Sequence, residues 1–252
     1  MEISEIEGLW LDYAWSVLNC PASHRQKCVA GGAAVPGPGR TDGNDLRWPG
    51  YIGRNYIPGR SVLCVGAVHR ESNPEEETAQ GLIASARHWL AEGRSEEGDQ
   101  RYLESVREEY EENLPCWSRW NRHFRTLVVD YLGADVTEIA WTNLAKCRVS
   151  IDRGASARQA EQKLTRLCQA EFAPMADLVE RIEPVACLVA VLQGGRGGSI
   201  VDAWDGESVR PLVYSWQGQS GHDRHNTAPG ARRLTEWAPE MAEAVQRRRK
   251  VN

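Results

Sequence analysis

The sequence predicts an α/β protein, a three-layer α/β/α sandwich around a mostly parallel central sheet. Short apolar runs of strand length alternate with longer segments of helical character, the arrangement that produces parallel strands covered by helices. The 252 residues suffice to bury one full core, so we expect a single domain over 1–252. The predicted strands are Ser61–Gly66, one within Glu138–Arg148, Val185–Leu192 and Leu212–Trp216.

Helices and one long loop fill the intervals between these strands. The Gly- and Pro-rich stretch 31–59 favours turns, and we interpret it as an irregular but ordered loop. Pro74 followed by Glu75 to Glu77 is typical of a helix start, since proline fits the first turn and acids favour the positive end of the helix dipole. The predicted helices are Glu2–Leu18, Pro74–Glu92, two segments within 93–135, Ala155–Ile182 with an interruption near Pro174, and Gly230–Arg249.

The composition indicates which cellular compartment and which kinds of binding partner to expect. Residues 1–11 lack a basic-then-apolar signal pattern and no apolar run approaches a membrane span, so we expect a cytoplasmic protein without a membrane partner. Seven cysteines, an odd number, favour reduced thiols or metal ligands over a disulfide framework. A net charge of −5 weighs mildly against DNA binding, but the acidic excess is concentrated at 75–77 and 96–112, away from the arginine clusters.

The most informative stretch is Glu138–Arg148. A short apolar run ends there in Thr142-Asn143, followed by Lys146-Cys147-Arg148, so a buried strand delivers polar groups to the rim of the predicted sheet. The amide of Asn143 offers a donor and an acceptor side by side, which matches the hydrogen-bonding edge of a base. The competing interpretation is a strand end closed by an ordinary polar turn.

This motif and the order of strands resemble those of the uracil-DNA glycosylase superfamily, most nearly its iron-sulfur-containing bacterial branches. In that family a strand ends in a Gly-led catalytic turn, a later strand carries Thr-Asn and Lys-Cys-Arg, and the last strand leads into a His-Pro turn. Gly66, Thr142-Asn143 and Lys146-Cys147-Arg148 match the first two motifs. The resemblance implies a DNA glycosylase, which flips a base out of the duplex and hydrolyses its N-glycosidic bond. Relative to the family, 93–135 is a helical insertion.

The first catalytic motif departs from the family pattern. Where the family places an acid or an amide after its glycine, this chain has Ala67 and Val68, which cannot activate water. His69 or Glu71 would take over that role from the same turn. For Glu71, a solvated charge at a helix entry is the competing interpretation.

The last motif departs as well. Trp216-Gln217 stands where the family has its His-Pro turn, and His222 follows within a polar loop. We expect Asn143, Trp216 and Gln217 to bind the base and His222 to be a third catalytic candidate. Arginine and lysine side chains near these motifs are candidates for DNA phosphate contacts; they are Arg70, Lys146, Arg224 and Arg232.

Four cysteines fall where the iron-sulfur branches carry their ligands. Cys20, Cys28, Cys147 and Cys168 are therefore candidate ligands of a [4Fe-4S] cluster, which usually takes four thiolates. The spacing departs from the family, with seven residues between the first two cysteines and twenty between the last two. A zinc site and four unconnected thiols remain alternatives. A cluster here would hold the N-terminal loop against the strand end.

The departures from the family pattern indicate a substrate other than plain uracil. We expect a larger or modified base, and the chain most resembles the bacterial anti-phage glycosylases that excise glucosylated hydroxymethylcytosine from phage DNA. The alternatives are a conventional repair glycosylase for uracil or a deaminated base, and a catalytically inactive DNA-binding relative that kept the fold. The expected partner is DNA, and the expected state is a monomer.

Overall fold

The computed structural model describes the sheet and the helices beside it. The described residues are 3–20, 47, 49–70, 77–112, 126–149, 167–168, 174–192, 212–216 and 234–251. Within these ranges only the main chain is described for 67–70, 77–80, 83, 112, 126–127, 144–145, 147–149, 174, 189–192, 212–216 and 234–237.

One five-stranded sheet runs through the described part of the molecule. The strands are β1 (Tyr51–Ile52), β2 (Val62–Arg70), β3 (Ala140–Val149), β4 (Ala186–Leu192) and β5 (Leu212–Trp216), in the order β1-β3-β2-β4-β5. The strands β3, β2, β4 and β5 are parallel to their neighbours, and the short β1 pairs antiparallel with β3. The prediction of an α/β fold with a mostly parallel sheet is confirmed.

Helices flank this sheet. They are α1 (Glu5–Leu18), α2 (Glu77–Glu92), α3 (Glu96–Arg107), α4 (Pro174–Ile182) and α5 (Leu234–Arg249), with π-helical segments Glu108–Glu112 and Thr126–Tyr131 and a 3-10 turn Val136–Glu138. The first described residue of α4 is Pro174, and the predicted interruption near it stays a prediction because 169–173 lie outside the described residues. The glycosylase-like arrangement of the three layers stays a prediction.

The turn predicted directly after Gly66 is wrong, because β2 continues as a strand to Arg70. Pairing with β3 explains the difference: Val68 lies opposite Ala145, and Arg70 lies opposite Val149. His69 therefore stands in a strand and not in a turn. Glu71 lies outside the described residues.

An aromatic stack joins the first three helices. The ring of Tyr102 lies 4.2 Å from Trp89 and 6.2 Å from Trp10, nearly parallel to both. Buried Arg107 of α3 pairs with Glu7 of α1, so the first half of the predicted insertion 93–135 packs into the molecule.

The last helix reaches the amino edge of the sheet. The guanidinium of Arg249 donates from Nε to the main-chain oxygen of Arg60, which lies just before β2, at 3.0 Å. Within the described residues, no helix is both long and apolar enough to cross a membrane.

Candidate functional site

The carboxyl ends of β2, β3, β4 and β5 lie at one edge of the sheet because these strands are parallel. The chain passes from β2 to β3 on one side and then places β4 on the other side of β2. Ligands of open α/β sheets bind outside the carboxyl ends of strands at such a reversal of direction. The candidate site is therefore the edge that holds Gly66 to Arg70 of β2 and Asn143 to Val149 of β3.

The closest approach at this edge joins Asn143 to Gly66. The two residues lie opposite each other in the register of β2 and β3. A Cβ atom added to Gly66 would lie 2.3 Å from Oδ1 of Asn143, so only glycine leaves room for the amide where it stands. Asn143 is 7% exposed. The two residues that match the family motifs, Gly66 and Asn143, therefore contact each other in the structure.

The loop before β1 holds the other side of β3. The Thr142 hydroxyl donates to the main-chain oxygen of Pro49 at 2.9 Å. Gly50 has a positive φ of 106°, and a Cβ atom there would lie 2.0 Å from the main-chain oxygen of Trp141. The described end of the 31–59 loop is therefore ordered against the strand that carries Asn143.

Lys146 lies in the interior. Its ammonium donates to the Thr142 hydroxyl and, at 2.6 Å, to the main-chain oxygen of Asn143, and only 2% of the residue is exposed. This placement differs from the expected DNA phosphate contact, because β3 turns the side chain towards α1 and α4, where Tyr13 and Met175 lie.

The surroundings of Lys146 are polar but contain no described carboxylate partner. Burial lowers the pKa of Lys146 to about 7, and nearby Cys168 acts in the opposite direction. The ammonium lies 5.5 Å from the ring centroid of Tyr13. The Tyr13 hydroxyl is also buried, near Thr142, and makes no hydrogen bond of normal geometry with the described residues. Sequence reasoning missed Tyr13, because an inward-facing tyrosine on α1 has the same pattern as a core residue.

The pairing of β2 with β3 is irregular where Lys146-Cys147-Arg148 stands. Three residues of β2, from Val68 to Arg70, lie opposite five residues of β3, from Ala145 to Val149. Such bulges redirect side chains and are common beside active sites. Lys146-Cys147-Arg148 therefore lie outside the regular hydrogen-bond ladder between β2 and β3.

The other predicted site residues are only partly placed. His69 and Arg70 end β2 and Trp216 ends β5, each with its main chain alone described. Since three strand spacings separate β3 from β5, about 14 Å lies between Asn143 and the end of β5. The remaining candidates lie outside the described residues; they are Glu71, Gln217, His222, Arg224 and Arg232.

Two of the four predicted cluster ligands have described side chains. Cys20 is half-buried after α1, and Cys168 is 8% exposed. Cys28 lies outside the described residues, and only the main chain of Cys147 is described. Among the residues that the structure describes, no group of three or more His, Cys, Asp or Glu side chains is arranged to hold a metal. The iron-sulfur cluster therefore stays a prediction.

Neither the comparison with protein-family models nor that with curated proteins finds a match to this chain.

Proposed function

We propose that this protein is a DNA glycosylase that flips a modified base out of the duplex and hydrolyses its N-glycosidic bond, leaving an abasic site. The contact of Asn143 with Gly66, between two adjacent parallel strands that continue past it to Arg70 and Val149, is the observation that carries the proposal. An amide there has both a donor and an acceptor for a base edge. The amide lies against glycine and is largely buried, instead of standing on a solvated turn.

Hydrolysis requires water to add to C1′ of the deoxyribose while the bond from C1′ to the base nitrogen breaks. The transition state has oxocarbenium character, and the departing base carries the electron pair of the broken bond. In the proposal Asn143 donates to that base, and His69, Glu71 or His222 accepts the proton of the water. His69 directly follows the paired Val68, on the same strand as Gly66.

Within this class we propose a bulky modified base, such as glucosylated hydroxymethylcytosine of phage DNA. The departures of both catalytic motifs from the family pattern, with Ala67 and Val68 after Gly66 and Trp216-Gln217 at the last turn, support a base other than uracil. The iron-sulfur cluster belongs to the proposal as a structural support, and the reaction uses no step through it. Iron and sulfide analysis of anaerobically purified protein tests the cluster separately.

The test is excision from duplexes that carry uracil, hypoxanthine, unmodified bases, and hydroxymethylcytosine with and without glucose, scored by alkali cleavage at abasic sites. We expect cleavage of the glucosylated DNA alone. Asn143→Ala should abolish excision and retain DNA binding, whereas Asn55→Ala should leave excision unchanged, because exposed Asn55 donates to Thr137, which lies before the start of β3. Cleavage of uracil would instead indicate ordinary repair, and silence on every substrate would favour an inactive DNA-binding relative.

A further inference from the structure

We propose that Lys146 is a positioning residue, which holds the main chain of Asn143 so that its amide keeps the orientation that base excision requires. This inference rests on the proposed glycosylase function. It concerns a side chain that does not touch DNA, since only 2% of Lys146 is exposed.

The first argument is the direct contact. The Lys146 ammonium donates to the main-chain oxygen of Asn143 at 2.6 Å and to the hydroxyl of Thr142, the residue before it. Thr142 in turn donates to the main-chain oxygen of Pro49 at 2.9 Å. One buried chain of hydrogen bonds therefore joins Lys146, both motif residues and the loop before β1.

The second argument is that the described residues provide no strand beside Asn143 on the side of β3 away from β2. On the side of β3 away from β2, the two-residue β1 pairs only with Ala140 and Trp141. From Thr142 onwards the described residues provide no further strand on that side, although buried main-chain oxygens require donors. Lys146 supplies a donor at Asn143, where a regular sheet would use a strand.

The third argument is the free-energy cost of burying the Lys146 ammonium. In the described part of the chain, Lys146 makes no ion pair with a carboxylate, and a buried ammonium without such a partner is unfavourable. A methionine of similar length would fill the same space without that cost. Proteins accept such local costs mainly at functional sites.

The expected consequence is a defect in turnover and not in binding. Phosphate contacts and burial of the flipped base act in the ground state as well, whereas the donor to the departing base acts most strongly as the bond breaks. A small displacement of a catalytic group lowers the rate by up to about 100-fold.

The test compares Lys146→Met with Lys146→Gln, which retains a neutral donor. For Lys146→Met we expect kcat to fall roughly 10- to 100-fold with KM within about twofold of the parent value. We also expect a thermal midpoint equal to or above that of the parent. Lys146→Gln should recover part of kcat. Met175→Leu alters the packing around Lys146 without removing its oxygen partners and should retain the parent kcat.

An unchanged kcat in Lys146→Met would overturn the proposal, and so would a loss of kcat that is accompanied by a fall in the thermal midpoint or a loss of bound iron. If Lys146→Met fails to fold, Thr142→Val removes one link of the same hydrogen-bond chain and should lower kcat with unchanged KM; an unchanged kcat would again count against the proposal.

A second readout does not depend on activity. The side-chain amide signal of Asn143 in a ¹⁵N NMR spectrum is assigned by its loss in Asn143→Ala. We expect a dispersed signal in the parent that moves towards the position of a free amide in Lys146→Met. An unmoved signal would overturn the positioning role. If the parent excises nothing, the proposed function fails, and this signal still decides whether Lys146 positions Asn143.

Discussion

Charged side chains are buried in two regions of the molecule, the face formed by α1, α2 and α3 and the part of β3 that holds Lys146. Among the described residues, only the buried charges of the helical face have a partner of opposite charge. Arg107 is 2% exposed and pairs with Glu7. Asp99 is 7% exposed, accepts from Nε1 of Trp89 at 2.8 Å and pairs with Arg94 at 2.7 Å. Lys146 is equally buried, and its partners among the described residues are neutral oxygen and sulfur atoms.

The charge pairs of the helical face stabilise the fold. We attribute the buried ammonium on β3 instead to the position that it gives Asn143. A buried charge with an opposite charge beside it costs less free energy than one without. The pairing is incomplete at Arg107, whose buried Nε has no hydrogen-bond partner among the described residues. An unpaired ammonium lowers stability, so its presence beside Asn143 requires another explanation. Four predictions test this contrast, beginning with the largest expected effect.

Breaking the helical pair should affect stability alone. Arg107→Met leaves the part-buried carboxylate of Glu7 without its cation, and we expect the free energy of unfolding to fall by about 3 kcal/mol. Excision per folded molecule should not change, because Arg107 lies on α3 away from the carboxyl edge. Urea unfolding and active-site titration measure the two quantities. Loss of excision at unchanged stability would contradict the contrast.

Filling the space at Gly66 should affect activity more than stability. Gly66→Ala places a methyl group 2.3 Å from Oδ1 of Asn143, so the amide must move, and we expect kcat to fall about 100-fold, equivalent to about 2.7 kcal/mol. Gly81→Ala is the matched control. Gly81 is exposed within α2 and a Cβ there meets nothing within 4 Å, so this variant should gain about 0.5 to 1 kcal/mol of stability. Equal activity in both variants would refute the role of the contact.

The buried ammonium should give the parent protein a distinctive pH dependence. Burial lowers the pKa of Lys146 to about 7 from 10.5, so the unfolded chain binds more protons than the folded chain between those values. The free energy of unfolding therefore rises with pH in that window, by up to about 1.4 kcal/mol per pH unit. Lys146→Met lacks this contribution. The check is the difference between the two proteins in urea unfolding at pH 7, 8 and 9, since other titrating groups cancel in that difference.

The smallest expected effect concerns the start of α3. The Ser95 hydroxyl accepts from the main-chain N–H of Gly98 at 3.1 Å and caps the helix. Ser95→Ala should lower the free energy of unfolding by about 1 kcal/mol without changing kcat. A larger loss of kcat than of stability would show that the helical face and the candidate site are coupled.

Local patterns predicted four of the five described strands, but not where β2 and β3 end. The apolar run of β2 was visible, whereas its extension through His69 and Arg70 depends on pairing with β3, which no local pattern reveals. The two-residue β1 lay unrecognised in a Gly- and Pro-rich stretch because two residues are too few for any periodicity.

The residue types of the candidate site were predictable from the sequence, but the positions of their side chains were predictable only in part. The strand end predicted at Thr142-Asn143 is wrong, because β3 continues to Val149 in its pairing with β2. The structure places the amide of Asn143 within the strand, against Gly66. The direction of Lys146 was not predictable, because alternation along a strand does not say which face will be covered by α1 and α4.

The bond between Arg249 and the main-chain oxygen of Arg60 has a practical consequence for single-molecule experiments. It fastens the end of α5 beside the start of β2, and the nine residues of β2 span roughly 30 Å to the opposite edge. A fluorophore or surface tether attached at Val251, which is 86% exposed, would therefore stand about a strand length from the proposed DNA site. Immobilised molecules would keep the carboxyl edge open, so individual excision events could be recorded on duplexes supplied in flow.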